Sequence, residues 1–288
     1  MLDGSTTRRP PPAGHEDSAP TSVAAAAESS EAAPFDFDGD GRQEVVAGRP
    51  GWSAAATPAG SGRVQVLSGA TLRREATLGA ARPQHGIGFG AALASADFDR
   101  DGYADLAVGA PGEAAGNGSR REGSVTVRYG SPNGLDPGRT AVLEGLATSS
   151  RSTGGGYGSA LATADFDGDG FADLAVGAPH ADAFPAREGG SGVIQLVAGG
   201  ARGLDQAEAR ILRRPAAAVE GFGTALALGD VDGDDRLDLA VAMPDPSGAR
   251  LFVFRGAGNG FFSKVERRRL AGRTNADAGV ALGHNPVP

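Results

Sequence analysis

The apolar residues of this chain fall in short alternating or continuous segments, which is the pattern of β-strands rather than of helices. The second set along the chain is the clearest. Small residues at 90–96 are followed by an apolar run at 104–109, which Pro111 ends. β-branched residues alternate at 124–129, and another apolar segment lies at 140–143. The pattern predicts four antiparallel strands joined by turns.

The same order of segments occurs in three further units. The third unit has predicted strands at 158–162, 172–177, 193–197 and 209–212, and the fourth has them at 223–227, 237–241, 251–254 and 264–270. The first unit has predicted strands at 44–47, 64–67 and 72–78, but no glycine-led segment stands before them. A copy of that segment lies at 279–282. Four antiparallel strands per unit are the blade of a β-propeller, so the chain is predicted to be all-β.

Blades are predicted at about residues 35–80, 87–145, 155–214 and 220–272, with a partial strand at 279–283. Residues 1–34 are rich in Pro, Ser, Ala and Glu without periodicity, and we expect this segment to be disordered. It holds no apolar stretch of the length that a signal peptide needs. The chain has no run of eighteen apolar residues, so no membrane span is predicted.

Composition narrows the interpretation in three ways. The chain has 47 glycines and 18 prolines and only 6% aromatic residues, which favours many turns and a core of small side chains. It has no cysteine, which excludes disulfides and thiolate metal sites. The net charge of −8 argues against a nucleic-acid partner, because such a partner needs a basic surface.

Four nine-residue segments place acids at positions 1, 3, 5 and 9. The acids are Asp36, Asp38, Asp40 and Glu44; Asp97, Asp99, Asp101 and Asp105; Asp165, Asp167, Asp169 and Asp173; and Asp230, Asp232, Asp234 and Asp238. These carboxylates repel one another unless a cation lies between them, and oxygen ligands at this spacing suit Ca²⁺. Gly41, Gly102 and Gly170 at position 6 permit a left-handed turn, and Asp235 takes that place in the fourth segment at some cost. Acidic turns without an ion are the open alternative.

An EF-hand is excluded by the residues that follow. Its loop needs a bidentate Glu at position 12 and a helix on each side. Position 12 is Ala47, Val108, Val176 or Val241 in the four segments, and each lies in a predicted strand.

Two dipeptide or tripeptide motifs frame the acidic segments. Phe89-Gly90, Tyr157-Gly158 and Phe222-Gly223 precede three of them, while Gly109-Ala110-Pro111 and Gly177-Ala178-Pro179 follow two of them. Weaker versions of the second motif are Gly48-Arg49-Pro50 and Ala242-Met243-Pro244. Together these motifs resemble the FG-GAP repeat of the integrin α-subunit propeller and its bacterial relatives. The resemblance covers about residues 35–285.

The resemblance implies a propeller that binds calcium between the first two strands of each blade. The ligands it implies are the acids at positions 1, 3, 5 and 9 together with the carbonyl oxygen at position 7. Position 7 is Arg42, Tyr103, Phe171 or Arg236. We expect the segment that begins at Asp230 to form the loosest site and the segment with Glu44 the next weakest.

Two arrangements of the blades are open. The family's ring usually has seven blades, so the favoured interpretation is an incomplete ring of that type. In the alternative, the segment at 279–282 supplies the missing inner strand of the first unit and closes a small ring.

The sequence favours a non-catalytic protein. Its four histidines are scattered, and no nucleophile, phosphate-binding or zinc motif is present. The favoured function is a calcium-stabilised propeller for adhesion or recognition outside the cell, with an extracellular protein or a glycan as partner. One alternative is an accessory part of a secreted hydrolase or lyase that acts on glycans or phospholipids. A second alternative is a truncated remnant.

Overall fold

The computed structural model describes residues 22–23, 25–26, 32–55, 57–114, 121–145, 154–181, 192–213, 221–245, 248–257, 262 and 264–271. Its strands, in chain order, are β1 (Ser22–Val23), β2 (Ala25–Ala26), β3 (Val45–Arg49), β4 (Arg63–Leu67), β5 (Arg74–Leu78), β6 (Leu93–Ala96), β7 (Asp105–Ala110), β8 (Ser124–Arg128), β9 (Thr140–Glu144), β10 (Ala160–Ala164), β11 (Asp173–Ala178), β12 (Val193–Ala198), β13 (Asp205–Arg213), β14 (Ala225–Gly229), β15 (Asp238–Asp245), β16 (Gly248–Arg255) and β17 (Lys264–Ala271). The described residues contain no helix, and so none that could cross a membrane. The all-β prediction is confirmed.

The strands form four sheets, which we number as blades 1 to 4. Blade 1 has the order β1-β3-β4-β5, blade 2 β2-β6-β7-β8-β9, blade 3 β10-β11-β12-β13, and blade 4 β14-β15-β16-β17. Neighbouring strands are antiparallel, except that β2 runs parallel to β6. The molecule is therefore a partial β-propeller with four blades, as the strand pattern predicted.

Strands β1 and β2 differ from the expected disorder of residues 1–34. Ser22 pairs with Gly48 and Val23 with Ala47, which places β1 as the innermost strand of blade 1. The sequence showed no inner strand for this blade, because these two residues carry no alternating pattern. The small-ring alternative put the segment at 279–282 in this position, and β1 occupies it. That segment lies outside the described residues.

Three hydrophobic clusters join successive blades. One lies between blades 1 and 2 around Phe37 and Val64, one between blades 2 and 3 around Tyr157, and one between blades 3 and 4 around Phe222 and Phe252. Many of the remaining buried positions are alanine, as the low aromatic content predicted. Within the described residues, no cluster joins blade 4 to blade 1.

The glycines of the two framing motifs lie at the contacts between blades. A Cβ on Gly109 would overlap the carbonyl oxygen of Gly158 in the next blade and lie 3.0 Å from its carbonyl carbon. Gly177 stands in the same relation to Gly223. Within blade 2, the Gly90 amide also donates to the Gly109 carbonyl at 2.9 Å. The two motifs therefore bring the backbones of adjacent blades into direct contact, where no side chain fits.

Candidate metal centres

Each acidic segment forms a loop on its own blade, and we number the loops as the blades. Loops 2, 3 and 4 (residues 97–105, 165–173 and 230–238) connect β6 to β7, β10 to β11 and β14 to β15, and loop 1 (residues 36–44) precedes β3. The same end of every blade therefore carries a loop, as the repeat predicted.

Backbone amides of each loop point at its own carboxylates. The position 6 amide donates to the carboxylate at position 1, from Gly41 to Asp36, Gly102 to Asp97, Gly170 to Asp165 and Asp235 to Asp230, at 2.9 to 3.0 Å. The amide at position 7 donates to the carboxylate at position 5, as from Arg42 to Asp40 at 2.8 Å. These bonds curl the loop so that the carboxylates at positions 1, 3 and 5 converge.

Two positions in each loop have a left-handed backbone. Position 6 has a φ of 81°, 92° and 90° at its three glycines and 60° at Asp235, so the predicted left-handed aspartate is confirmed. Position 4 is also left-handed, with a φ of 55° at Arg100. Sequence reasoning missed position 4, although the other three loops have glycine there. Arg100 and Asp235 bear the strain that a side chain meets in this conformation.

The structure brings together three acids in each loop. Groups with ligand oxygens within 4.8 Å of one another are formed by Asp36, Asp38 and Asp40; by Asp97, Asp99 and Asp101; by Asp165, Asp167 and Asp173; and by Asp230, Asp232 and Asp234. Loops 1, 2 and 4 thus group positions 1, 3 and 5, whereas loop 3 groups positions 1, 3 and 9. In loop 4 all three grouped acids are exposed.

The acid at position 9 has a second role that sequence reasoning missed. One oxygen of Asp105 accepts from the Phe98 amide and the other from the Gly130 amide, both at 2.9 Å. Asp173 and Asp238 make the equivalent pair of bonds, while Glu44 accepts from the Phe37 amide. In loops 2 to 4 this side chain therefore fixes the start of the loop to the turn after β8, β12 or β16.

Burial sets the electrostatics of these acids. Desolvation, reinforced by neighbouring aspartates, raises the pKa of Asp105 to about 8, and it raises the pKa of Asp173 to about 7. Desolvation also raises the pKa of Glu44 to about 7. Backbone hydrogen bonds oppose these shifts without cancelling them. Without a cation, part of the acidic set is therefore held in its neutral form near pH 7.

Arginines from the strand region of their own blade contact the carboxylates of loops 2 and 4. The Arg139 guanidinium contacts Asp99 and Asp101, the latter at 3.1 Å, and lies 4.3 Å from the centre of the Tyr129 ring. In blade 4, Arg255 Nη1 lies 2.6 Å from Asp238 Oδ2, and Arg255 Nε lies 3.4 Å from Asp232 Oδ2.

Side chains at position 7 bridge neighbouring loops. Tyr103 packs on loop 1, where a Cβ on Gly39 would stand 2.9 Å from its ring. The Arg100 guanidinium lies 5.7 Å from the centre of the Phe171 ring. The carbonyl oxygens at position 7 stay predicted ligands.

The donor sets of the loops fit a hard cation. Every candidate donor is an oxygen, and the grouped oxygens are close enough to share one ion. The Oδ1 atom of Asp36 is buried and accepts no hydrogen bond, although a buried carboxylate oxygen normally has a partner. An ion bound by Asp36, Asp38 and Asp40 would supply that partner.

Several known proteins are similar to this chain in sequence. The FG-GAP repeat matches at residues 29–67, 89–127, 157–197 and 222–260. Phosphatidylinositol-glycan-specific phospholipase D of Mus musculus is 35% identical over 163 residues, which are 55% of this chain and 18% of that protein. Integrin alpha-V of Gallus gallus is 32% identical over 214 residues, which are 72% of this chain and 19% of that protein. The chain thus spans about a fifth of the length of these relatives.

Among solved structures, the rhamnogalacturonan lyase PL11 of Bacillus licheniformis superimposes with a TM-score of 0.46 at 12% identity, over 78% of this chain and 46% of the lyase. A likeness of that extent carries no argument about function. The four FG-GAP matches together cover more than half of the chain, and they coincide with the four blades and their acidic loops. The chain therefore belongs to the FG-GAP repeat family.

Proposed function

We propose that the protein is a calcium-binding propeller segment that serves recognition outside the cell without catalysing a reaction. Loops 1, 2 and 3 each hold one Ca²⁺ ion in this proposal. The bound ions stabilise the blades, and the blades present a rigid surface to an extracellular protein or a glycan.

The observation that carries the proposal is the burial of converging carboxylates. Asp97 and Asp105 are fully buried and Asp99 is 7% exposed, yet all three belong to one loop. Desolvation raises the pKa of both Asp97 and Asp105. A divalent cation removes this cost, because it neutralises two charges and accepts several oxygen ligands at once.

The loops are also placed to transmit this stabilisation between blades. The Ala104 amide of blade 2 donates to the Asp36 carbonyl at 3.1 Å, and the Ser131 amide donates to the Phe37 carbonyl at 3.2 Å. The Gly200 amide of blade 3 donates to the Phe98 carbonyl at 3.0 Å. An ion that fixes loop 1 or loop 2 therefore fixes the contact with the following blade as well.

The calcium affinity typical of extracellular modules and the ionised state of the clustered acids favour a structural role outside the cell. Extracellular calcium modules bind at about 10⁻⁴ to 10⁻³ M, which suits extracellular calcium. The clustered acids of the described residues are needed in ionised form around the ion, which makes them poor proton donors. A scaffold that presents its loops to a partner uses these properties.

Thermal unfolding tests the calcium proposal. With 2 mM CaCl₂ and a dissociation constant of about 10⁻⁴ M, each site adds about 1.8 kcal/mol to the free energy of unfolding. Three sites raise the melting temperature by about 10 °C or more relative to excess chelator. Differential scanning calorimetry in calcium, in magnesium and in chelator measures the shift.

A pair of variants makes this test specific. Asp97→Asn with Asp99→Asn removes two charges from loop 2 and should reduce the calcium-dependent shift by about a third. Glu144→Gln removes an exposed acid of β9 outside the loops and should leave the shift unchanged. Equal melting temperatures in chelator and in calcium would refute the proposal.

The similarity to phosphatidylinositol-glycan-specific phospholipase D supports a second candidate, an accessory segment that binds phosphatidylinositol-glycan lipids beside a catalytic domain. Co-sedimentation with vesicles that contain such lipids, compared with vesicles of phosphatidylcholine alone, distinguishes the two. Calcium-dependent binding to the first vesicles only would favour this candidate, and binding to neither would disfavour it.

A further inference from the structure

Loop 4 has a cationic neighbour that is built into its own blade. Arg255 is the last residue of β16 and follows Phe254, which pairs with Leu239, so it lies across the sheet from Asp238 at position 9. Its guanidinium contacts Asp238 at 2.6 Å, Asp232 at 3.4 Å and Glu266 at 3.6 Å. The Arg255 side chain is 15% exposed and that of Asp238 is 1% exposed. The pair is therefore shielded from water on most sides.

The other blades have no charged residue at this register position. The residues that correspond to Arg255 in the strand register are Ser68, Tyr129 and Ala198, in blades 1, 2 and 3. None of these side chains is cationic at neutral pH. In those blades the acid at position 9 therefore faces a neutral residue across the sheet.

We propose that the Arg255 guanidinium serves as the cation of loop 4 and that this loop folds without calcium. The inference rests on the proposed function for loops 1 to 3. An arginine stays charged at every physiological pH and has five N–H donors in one plane, so it binds two carboxylates at once. Asp232 belongs to the group of acids that an ion would use, and its Oδ2 atom faces the guanidinium. This positive charge would repel a calcium ion in loop 4.

The exposure of loop 4 also reduces its need for a calcium ion. Asp230, Asp232 and Asp234 are all exposed, so water and salt screen their mutual repulsion. The buried acids of loop 2 lack that screening and depend more on an ion.

Arg139 beside loop 2 is a different case. Its side chain is 38% exposed, and it contacts Asp99 and Asp101 rather than the acid at position 9. It reaches loop 2 from the segment before β9, where water screens its charge, whereas Arg255 lies on the strand between β15 and β17.

Counting bound calcium tests the inference. Equilibrium dialysis of the full chain against CaCl₂ should give three ions per chain, although four groups of converging acids lie among the described residues. Arg255→Gln should bind one ion more than the unchanged chain, with a larger calcium-dependent rise in melting temperature. Arg255→Lys keeps a cation at this place and should bind the same number as the unchanged chain.

Arg128→Gln is the matched control. Arg128 ends β8 and donates to the Pro137 carbonyl and the Thr140 hydroxyl, so its replacement should not change the count. If Arg255→Gln folds only in calcium, purification in 5 mM CaCl₂ followed by dialysis keeps the comparison possible, and Arg255→Lys supplies a folded variant.

The deciding quantity is the difference between Arg255→Gln and the unchanged chain. A gain of one ion supports the inference, and no gain overturns it. The absolute count of the unchanged chain tests the proposed function separately, because a count of zero would refute calcium binding by loops 1 to 3 whatever the difference is.

Discussion

Blades 2 and 4 use different residues on the side that faces the next blade along the chain. Blade 2 has Gly109 in β7 and Gly123 just before β8. A Cβ on either glycine would overlap a backbone carbonyl oxygen of blade 3 or of the segment that leads into it. In the register of blade 4, the corresponding residues are Ala242 and Ala249. A following blade therefore could not approach blade 4 as closely as blade 3 approaches blade 2.

The loops of the two blades show the same contrast. Phe98 at position 2 of loop 2 is fully buried, and the Gly200 amide of blade 3 donates to its carbonyl. Val231 at position 2 of loop 4 is 43% exposed. The comparison indicates that Gly109, Gly123 and Phe98 serve the contact between blades 2 and 3. Blade 4, for which no such contact with a following blade is found among the described residues, has Ala242, Ala249 and Val231 at these places.

The largest expected effect comes from placing the alanine of blade 4 into blade 2. Gly109→Ala puts a Cβ against the Gly158 carbonyl, and the backbones of blades 2 and 3 must separate to make room. Overpacking of this kind should lower the free energy of unfolding by about 3 kcal/mol. A urea titration at saturating calcium measures the loss.

Gly79→Ala is the control for this substitution. Gly79 follows β5, does not have a positive φ, and has no atom within 4 Å of the place that a Cβ would take, so alanine should be neutral there. If Gly109→Ala were also neutral, the direct backbone contact would not be what joins the blades.

The sequence predicted the parts of the fold that repeat. Four copies of the acidic spacing placed the four loops, and Phe89-Gly90 and its two equivalents placed the strands on either side of loops 2 to 4. It did not predict β1, because a strand of two residues carries no periodicity and exists only through its pairing with β3. Position 4 could have been found from its three glycines, but Arg100 concealed the pattern.

The sequence predicted which acids form the candidate site, but it predicted their arrangement only in part. The acids at positions 1 and 3 converge in every loop, as the spacing indicated. The hydrogen bond that Asp105 accepts from the Gly130 amide depends on the turn after β8, which is 25 residues away from it in the chain. The contact of Arg255 with Asp238 likewise depends on the register of β15 and β16. Neither contact can be predicted from the local sequence, because its two partners are far apart in the chain.

The reverse substitution in blade 4 should have a smaller effect. Ala242→Gly removes a methyl group and adds backbone freedom in the unfolded chain, so it should lower the free energy of unfolding by about 1 kcal/mol. The same urea titration compares it with Gly109→Ala. A loss of about 3 kcal/mol or more would mean that the Ala242 methyl group is packed as tightly as the contact between blades 2 and 3, and the contrast between the two sides would be lost.

The smallest effect is expected at position 2 of loop 4. Val231→Thr keeps the β-branched shape and the amide that donates to Asp238 at 3.0 Å, and the side chain is already 43% exposed. The free energy of unfolding should change by less than about 0.5 kcal/mol, as for other surface substitutions. Calcium binding should not change either, because position 2 is not one of the ligand positions 1, 3, 5, 7 and 9. A loss above about 2 kcal/mol, more than an exposed position supports, would show that Val231 is covered in solution as Phe98 is. Blade 4 would then have a packed neighbour on that side, and the alanines at 242 and 249 would have to be explained by a wider contact between blades.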